Sequence, residues 1–169
     1  GLGSVGGRLA EMLAKDGAKL LVADVDQHKR ELAERIGAQW ADPMTALTAE
    51  VDMVAPCALG GVLNDETVPK LRCRAVAGAA NNQLADDAHD AQLAQRGILW
   101  APDFVCNAGG IIKISVELEP EGYSPERAKT RVQAIGDTLR QIFDTAAQGR
   151  ITPLQAAYEI GRARLETPV

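Results

Sequence analysis

The chain has 169 residues, 46% of them hydrophobic, with a formal net charge of −5 and no basic cluster. That length suits one ordinary domain with a single core. No apolar run approaches the roughly 20 residues of a membrane span, and the N-terminus lacks the basic-then-apolar pattern of a signal peptide. The acidic balance excludes nucleic acid or an anionic membrane surface as the expected main partner. Cys57, Cys73 and Cys106 are odd in number, form no C-x-x-C, and stand apart from His28 and His89. We expect neither a metal site nor a disulfide framework, and a reduced, cytoplasmic compartment. Each cysteine reads most simply as a small, partly buried hydrophobe.

In chain order, Val5, Leu9, Met12 and Leu13 recur at helical spacing and predict a helix over about 4–16, stopped by Gly17. "AKLLVADV" reads as a strand buried on both faces. Asp26 suits the cap of a second helix ending at Gly37, and a short strand follows near 38–40. Asp42-Pro43 opens a brief helix with proline in its first turn. "VDMVAPC" is a strand, "ETVPKL" at most a helical turn, "RAVAGAA" a strand, "DDAHDAQLAQRG" a helix, and "GILWAPD" the last strand. A helix is expected from Asn107 through "GGIIKISVELE", then a long one over 124–148 and another over 152–166. Strands alternating with helices predict an α/β fold, a Rossmann-like doubly wound parallel sheet followed by C-terminal helices. The pattern divides the chain into a dinucleotide-binding core over 1–103 and a helical segment over 104–169.

The chain begins "GLGSVGGRLA". Gly1, Gly3 and Gly6 form G-x-G-x-x-G, with Ser4 and Val5 between the glycines at the start of the first helix. Gly1 would permit a tight turn, Gly3 a close backbone approach to pyrophosphate, and Gly6 close packing of the helix. The helix N-terminus would offer unpaired N–H groups to the phosphates. By itself this motif is weak, because glycines are common in turns. Asp24 strengthens it. It ends the strand that follows, about where an acidic residue accepts hydrogen bonds from the adenosine ribose and repels a 2′-phosphate. Asp24 reads otherwise as a loop acid or helix cap, a role that Asp26 fills better.

"VAPCALGG" and "AGAANN" lie past the ends of two strands, the edge where open α/β sheets bind ligands. Their small residues would admit a flat ring, or merely allow tight loop packing. Asn81 and Asn82 carry amides suited to a carboxamide or carboxylate, or simply turn the chain. Asn107 reads either as a helix N-cap or as a further ligand-facing amide. Ile111 and Ile114 share one helix face, which by pattern alone suits core more than pocket.

The runs "VDMVAPCALGGVLNDETVPKL", "AVAGAANNQL" and "APDFVCNAGGIIKIS" closely resemble the leucine/valine/phenylalanine dehydrogenase family, within the amino-acid dehydrogenase superfamily. The resemblance covers the chain from Gly1 to about Glu166. It implies NAD-dependent oxidative deamination of an L-amino acid, with branched aliphatic substrates such as leucine or valine favoured. It also implies that this chain is the C-terminal NAD-binding domain. Gly1, Gly3, Ser4, Val5, Gly6, Asp24, Pro56, Cys57, Ala58, Ala80, Asn82 and Asn107 would then contact the cofactor. Asn82, Ile111 and Ile114 would face the substrate. The family's catalytic lysine and aspartate match nothing here, which implies that they lie in an N-terminal domain preceding Gly1, the strand before the glycine turn being absent with it. A homo-oligomer is implied as well. The competing readings are an aromatic-specific or glutamate-type relative, and a non-catalytic NAD-binding module.

Overall fold

The structure, a computed structural model, describes residues 1–166; the last three residues of the 104–169 segment lie outside the described residues. Eight helices and five short strands follow one another through these residues. The first helix, α1 (Ser4–Lys15), starts on Gly3 in extended backbone and ends at Asp16, followed by Gly17 at φ +85°. Next come β1 (Leu21–Val22), a 3₁₀ turn at Gln27–Lys29, α2 (Arg30–Arg35), β2 (Gln39–Trp40) and α3 (Pro43–Thr48). Asp26 and Asp42 cap as their positions suggest, accepting from His28 N and Thr45 N. The chain continues through β3 (Met53–Val54), a turn at Val68–Lys70, β4 (Ala75–Val76), α4 (Ala88–Gln95) and β5 (Leu99–Trp100). The rest is helical: α5 (Asp103–Cys106), α6 (Gly109–Glu117), α7 (Pro125–Gly149) and α8 (Pro153–Glu166).

All strand pairings are parallel, as the alternation of strand and helix requires. They form two sheets, β1-β2 and β3-β4-β5. In the larger sheet Val54, Val76 and Trp100 stand in register and are buried. They pack with Leu63, Val68, Leu71, Leu93, Ile98 and Leu154. The alternate row is Met53, Ala75 and Leu99, and its two large residues are exposed. That row floors an open cleft of about 450 Å³ also lined by Asp52, Arg74 and Gly97.

One expected feature differs. Leu21 and Val22 are half-buried, not enclosed on both faces. Strand β1 is bonded only to β2 among the described residues, so its other edge lacks the cover that a central strand receives.

The helical segment has its own apolar cluster, with Ile142 and Ala146 of α7 against Ala156 and Ala157 of α8, and Val105 of α5 beside them. Phe104 stacks on Tyr158 at 5.8 Å between ring centres. The start of α8 joins this cluster to the sheet, because Leu154 belongs to the sheet's core and its N–H donates to the buried Asp90 carboxylate at 3.0 Å.

Candidate cofactor-binding edge

The glycine turn is shaped by close contact. A Cβ on Gly6 would lie 2.0 Å from the Gly1 carbonyl oxygen and 2.8 Å from Cys57 Cβ. One on Gly1 would lie 2.8 Å from Ala58 Cβ. Neither position admits a side chain. A Cβ on Gly3 would meet nothing within 4 Å, so the turn is tight on its inner side and open at Gly3. Beyond it the first intrahelical bond is Gly7 N–H to Gly3 O at 2.8 Å. The N–H groups of Ser4, Val5 and Gly6 precede that bond and stand at the positive end of a 12-residue helix. Ser4 and Val5 are exposed.

Asp24 sits beside this turn. Its carboxylate accepts from Leu2 N at 2.5 Å and from Asp26 N at 2.9 Å. Those two N–H groups, Asp26 first and Leu2 second, hold the carboxyl below its ordinary range. Asp24 also lines an open cleft of about 260 Å³ with Gln27, Arg30, Trp40, Ala41, Asp42 and Pro43. Arg30 lies over the Trp40 ring, 5.3 Å from its centre.

Across the turn from Asp24 runs the loop after β3. Pro56 is buried, Cys57 half-buried and Ala58 exposed. The Pro56 carbonyl accepts from Ala80 N at 2.9 Å, which clamps the β3 loop to the loop after β4. Ala80 is 4% exposed. Asn82 takes the left-handed conformation, φ +51°, and its carbonyl accepts from Gly61 N at 2.7 Å. The next contact reaches the loop after β5, where Asn107 Nδ2 donates to Asn81 Oδ1 at 2.6 Å. Cys106 donates its thiol to the Gly78 carbonyl at 3.2 Å, and burial pushes that thiol's pKa up, which keeps the proton on the donor.

These contacts bring Asp24, the glycine turn, residues 56–58, residues 80–82 and Asn107 together into one continuous edge at the C-terminal ends of β1, β3, β4 and β5. Asn107 does not cap α6. It closes the short helix α5, and α6 starts from Ala108. Its side chain is thereby free to turn back to the Asn81 loop. Ile111 and Ile114 are on α6, 70% and 54% exposed, so they are not core residues.

Two features of the edge were not read in the sequence. Gly7 is buried, and a Cβ there would press on Leu32 Cδ2 at 3.0 Å and on the Leu2 carbonyl oxygen at 3.2 Å. Close packing at this turn is therefore shared between Gly6 and Gly7, and the doubled "GG" was its signal. Arg30 and Trp40 come together only through the β1-β2 crossover, and no spacing rule reveals them.

The residues fit a dinucleotide: a cradle that a side chain would fill, a row of helix N-terminal donors for an anion, and an acid beside them. A model of the "Glutamate/Leucine/Phenylalanine/Valine dehydrogenase" family matches residues 12–167. The chain belongs to the glutamate/leucine/phenylalanine/valine dehydrogenase family. Among its relatives in that family, leucine dehydrogenase of Thermoactinomyces intermedius is 40% identical over 98% of this chain and 45% of the relative. Phenylalanine dehydrogenase of Caldalkalibacillus thermarum is 40% identical over 98% of this chain and 46% of the relative. The crystal structure of L-tryptophan dehydrogenase from Nostoc punctiforme superposes with a TM-score of 0.93 at 42% identity, over 97% of this chain and 49% of that one. This dehydrogenase-family chain thus spans about half the length of the relatives it matches, and its α/β architecture is the Rossmann-like one found in that structure.

Proposed function

We propose that this chain forms the NAD-binding part of an enzyme that oxidatively deaminates an L-amino acid to a 2-oxo acid and ammonia. The observation that carries the reading is the continuous edge running from Asp24 through the glycine turn and residues 56–58 to Asn81, Asn82 and Asn107. Residues 1–103 form the cofactor core, and residues 104–169 carry the chain back over it toward a catalytic domain in the preceding polypeptide. Bound NAD would supply the hydride acceptor. The turn at Gly1, Gly3 and Gly6, with the N–H groups of Ser4 and Val5, holds the pyrophosphate. Asp24 accepts from the adenosine ribose hydroxyls, Pro56, Cys57, Ala58 and Ala80 wall the cofactor, and Asn82 and Asn107 orient its nicotinamide end. The proton-transferring groups are assigned to the preceding domain, because no residue of this edge matches them. The cysteine pattern supports a reduced, cytoplasmic compartment, and no helix among the described residues is long and apolar enough to cross a membrane. The family resemblance further supports a homo-oligomer.

The substrate side chain is apolar. Ile111 and Ile114 on an exposed helix face support a branched aliphatic substrate such as leucine or valine. An aromatic substrate is the second reading, supported by the relatives named for phenylalanine and tryptophan.

The test is a titration with NAD and NADP, followed by the fluorescence of Trp40, which shares its cleft with Asp24. NAD should bind the more tightly, and Asp24→Ser should weaken NAD and narrow the difference. Tighter binding of NADP by the unsubstituted protein would remove Asp24 from the ribose role.

A further inference from the structure

The loop between β4 and α4 is built almost entirely of small residues, Gly78, Ala79 and Ala80, before it reaches Asn81 and Asn82. Small residues give such a loop little packing of its own. Besides the Pro56 clamp on Ala80, the next residue orders it from behind. Gln83 is 0% exposed, although an amide buried without partners is costly. Every polar atom of its side chain is engaged. Nε2 has two N–H groups, which donate to the carbonyls of Gly78 at 2.8 Å and Ala80 at 3.1 Å. Oε1 accepts from Trp100 Nε1 at 3.2 Å. The backbone is held as firmly. Gln83 N donates to Asp103 Oδ2 at 2.6 Å, and Gln83 O accepts from Leu63 N at 2.9 Å. Asp103 is itself 7% exposed.

We propose that Gln83 and Asp103 are positioning residues that hold Asn81 and Asn82 in their ligand-facing geometry. The inference rests on the reading of this edge as the cofactor site. The chain is pinned at Gly78 and Ala80 by the Gln83 side chain, and at Gln83 itself by Asp103 and Leu63. Only Asn81 and Asn82 lie between the pins. Two residues close that short a span with Asn82 in the left-handed region, a conformation that asparagine tolerates better than most non-glycine residues. Both asparagines are exposed at the edge. The anchors come from β5 and α5, so the loop after β4 takes its shape from the rigid elements behind it. Glutamate cannot replace Gln83, because a carboxylate has no donors for the two carbonyls. Methionine fills the volume but removes both donors: Gly78 O keeps only the Cys106 thiol, Ala80 O only the Asn107 amide at 3.4 Å, and the Trp100 N–H is left unpaired.

The experiment compares Gln83→Met, Asp103→Ala and Asp103→Asn in the full-length protein. It reads hydrogen exchange of residues 78–83 by mass spectrometry, NAD affinity, and melting temperature. In Gln83→Met and Asp103→Ala the loop should exchange at least ten-fold faster while peptides covering β3 and β5 keep their rates. NAD should bind about ten-fold more weakly, the scale of one lost well-placed interaction. Asp103→Asn keeps an acceptor for Gln83 N and should recover most of what Asp103→Ala loses. If Gln83→Met does not fold, the Asp103 pair carries the comparison. A loosened loop with unchanged NAD affinity overturns the inference and leaves the cofactor reading standing. Faster exchange spread evenly over the whole sheet also overturns it, by showing a merely structural role. Failure of the unsubstituted protein to bind NAD overturns the cofactor reading and takes this inference with it.

Discussion

Gly3 and Gly6 are three residues apart and should respond in opposite ways to the same methyl group. Gly6→Ala would set a Cβ 2.0 Å from a backbone oxygen, a contact that only a backbone shift relieves. We expect a loss of about 1–3 kcal/mol, or roughly 2–4 °C of Tm for each kcal/mol in a chain of this size. Gly3→Ala meets nothing within 4 Å and has φ −65°, which alanine adopts freely. Its Tm should stay close to the parent's, while the methyl stands where the phosphates would approach and NAD affinity falls about ten-fold or more. Thermal melts and NAD titration of the two variants check this; weak NAD binding by Gly6→Ala alone would reverse the roles. Asp24 adds a pH signature. Its carboxyl is held below the ordinary value of 3.8, so its contribution to stability is fully present above that pH and is lost as pH falls through the folded value. The Tm gap between the parent and Asp24→Asn should therefore close only on the acid side of about pH 4. The motif itself was legible because its residues are neighbours in sequence. For Gly7 the doubled "GG" was the one local signal; its contact with Leu32, a residue of another helix, was not legible.

Among the elements, α8 depends on a residue 64 positions away. Asp90, 1% exposed on α4, accepts the Leu154 N–H in the first turn of α8. Burial pushes its carboxyl above the ordinary 3.8, opposed by Thr152 and by that N–H. The raised value means that the folded state holds the proton after the unfolded chain has lost it. Stability should thus fall as pH rises from about 4 through the folded value and then level off. Asp90→Asn should flatten that slope, and Asp90→Ala should cost about 1–3 kcal/mol by leaving the N–H unpaired. Urea midpoints between pH 4 and 7 measure both. On α6, Ile111 and Ile114 are exposed, and on our reading they meet the substrate. In the full-length enzyme Ile111→Ala and Ile114→Ala should move kcat/KM toward larger side chains by about ten-fold, the worth of a methylene or two in an apolar pocket. An unaltered ranking over valine, leucine, isoleucine, phenylalanine and glutamate would separate these residues from the pocket. The boundaries of α7 and α8 were legible from Ser124-Pro125 and Thr152-Pro153, which are local signals. The split between α5 and α6 was not, because Asn107 resembles a cap by type and becomes the end of a helical turn only through its tertiary partners.

For the whole molecule, the decisive feature is the meeting of the two sheets. Leu2 N is bonded to Asp24 after β1, and Gly1 lies against Cys57 and Ala58 after β3. The start of the chain therefore runs between the C-terminal ends of two strands that have no partner on their facing edges among the described residues. We expect an extended segment placed ahead of Gly1 to pair with these edges. We expect the 169-residue chain alone to melt at lower temperature and less cooperatively than a form extended ahead of Gly1, as read by calorimetry. A single, sharp, high-temperature transition of the unextended chain would contradict this.

What the sequence by itself determined is what short range controls. Caps and prolines bound the helices, alternating patterns set a parallel α/β fold, and three ordered motifs marked the dehydrogenase family. Only the tertiary structure decided that Asp24, Cys57, Asn82 and Asn107 share one edge, that Arg30 lies over Trp40, and that Gln83 is a fully satisfied buried amide. Parallel crossovers carry these residues from far apart to within hydrogen-bonding reach, and such a bond depends on distance in space, which no spacing along the chain encodes.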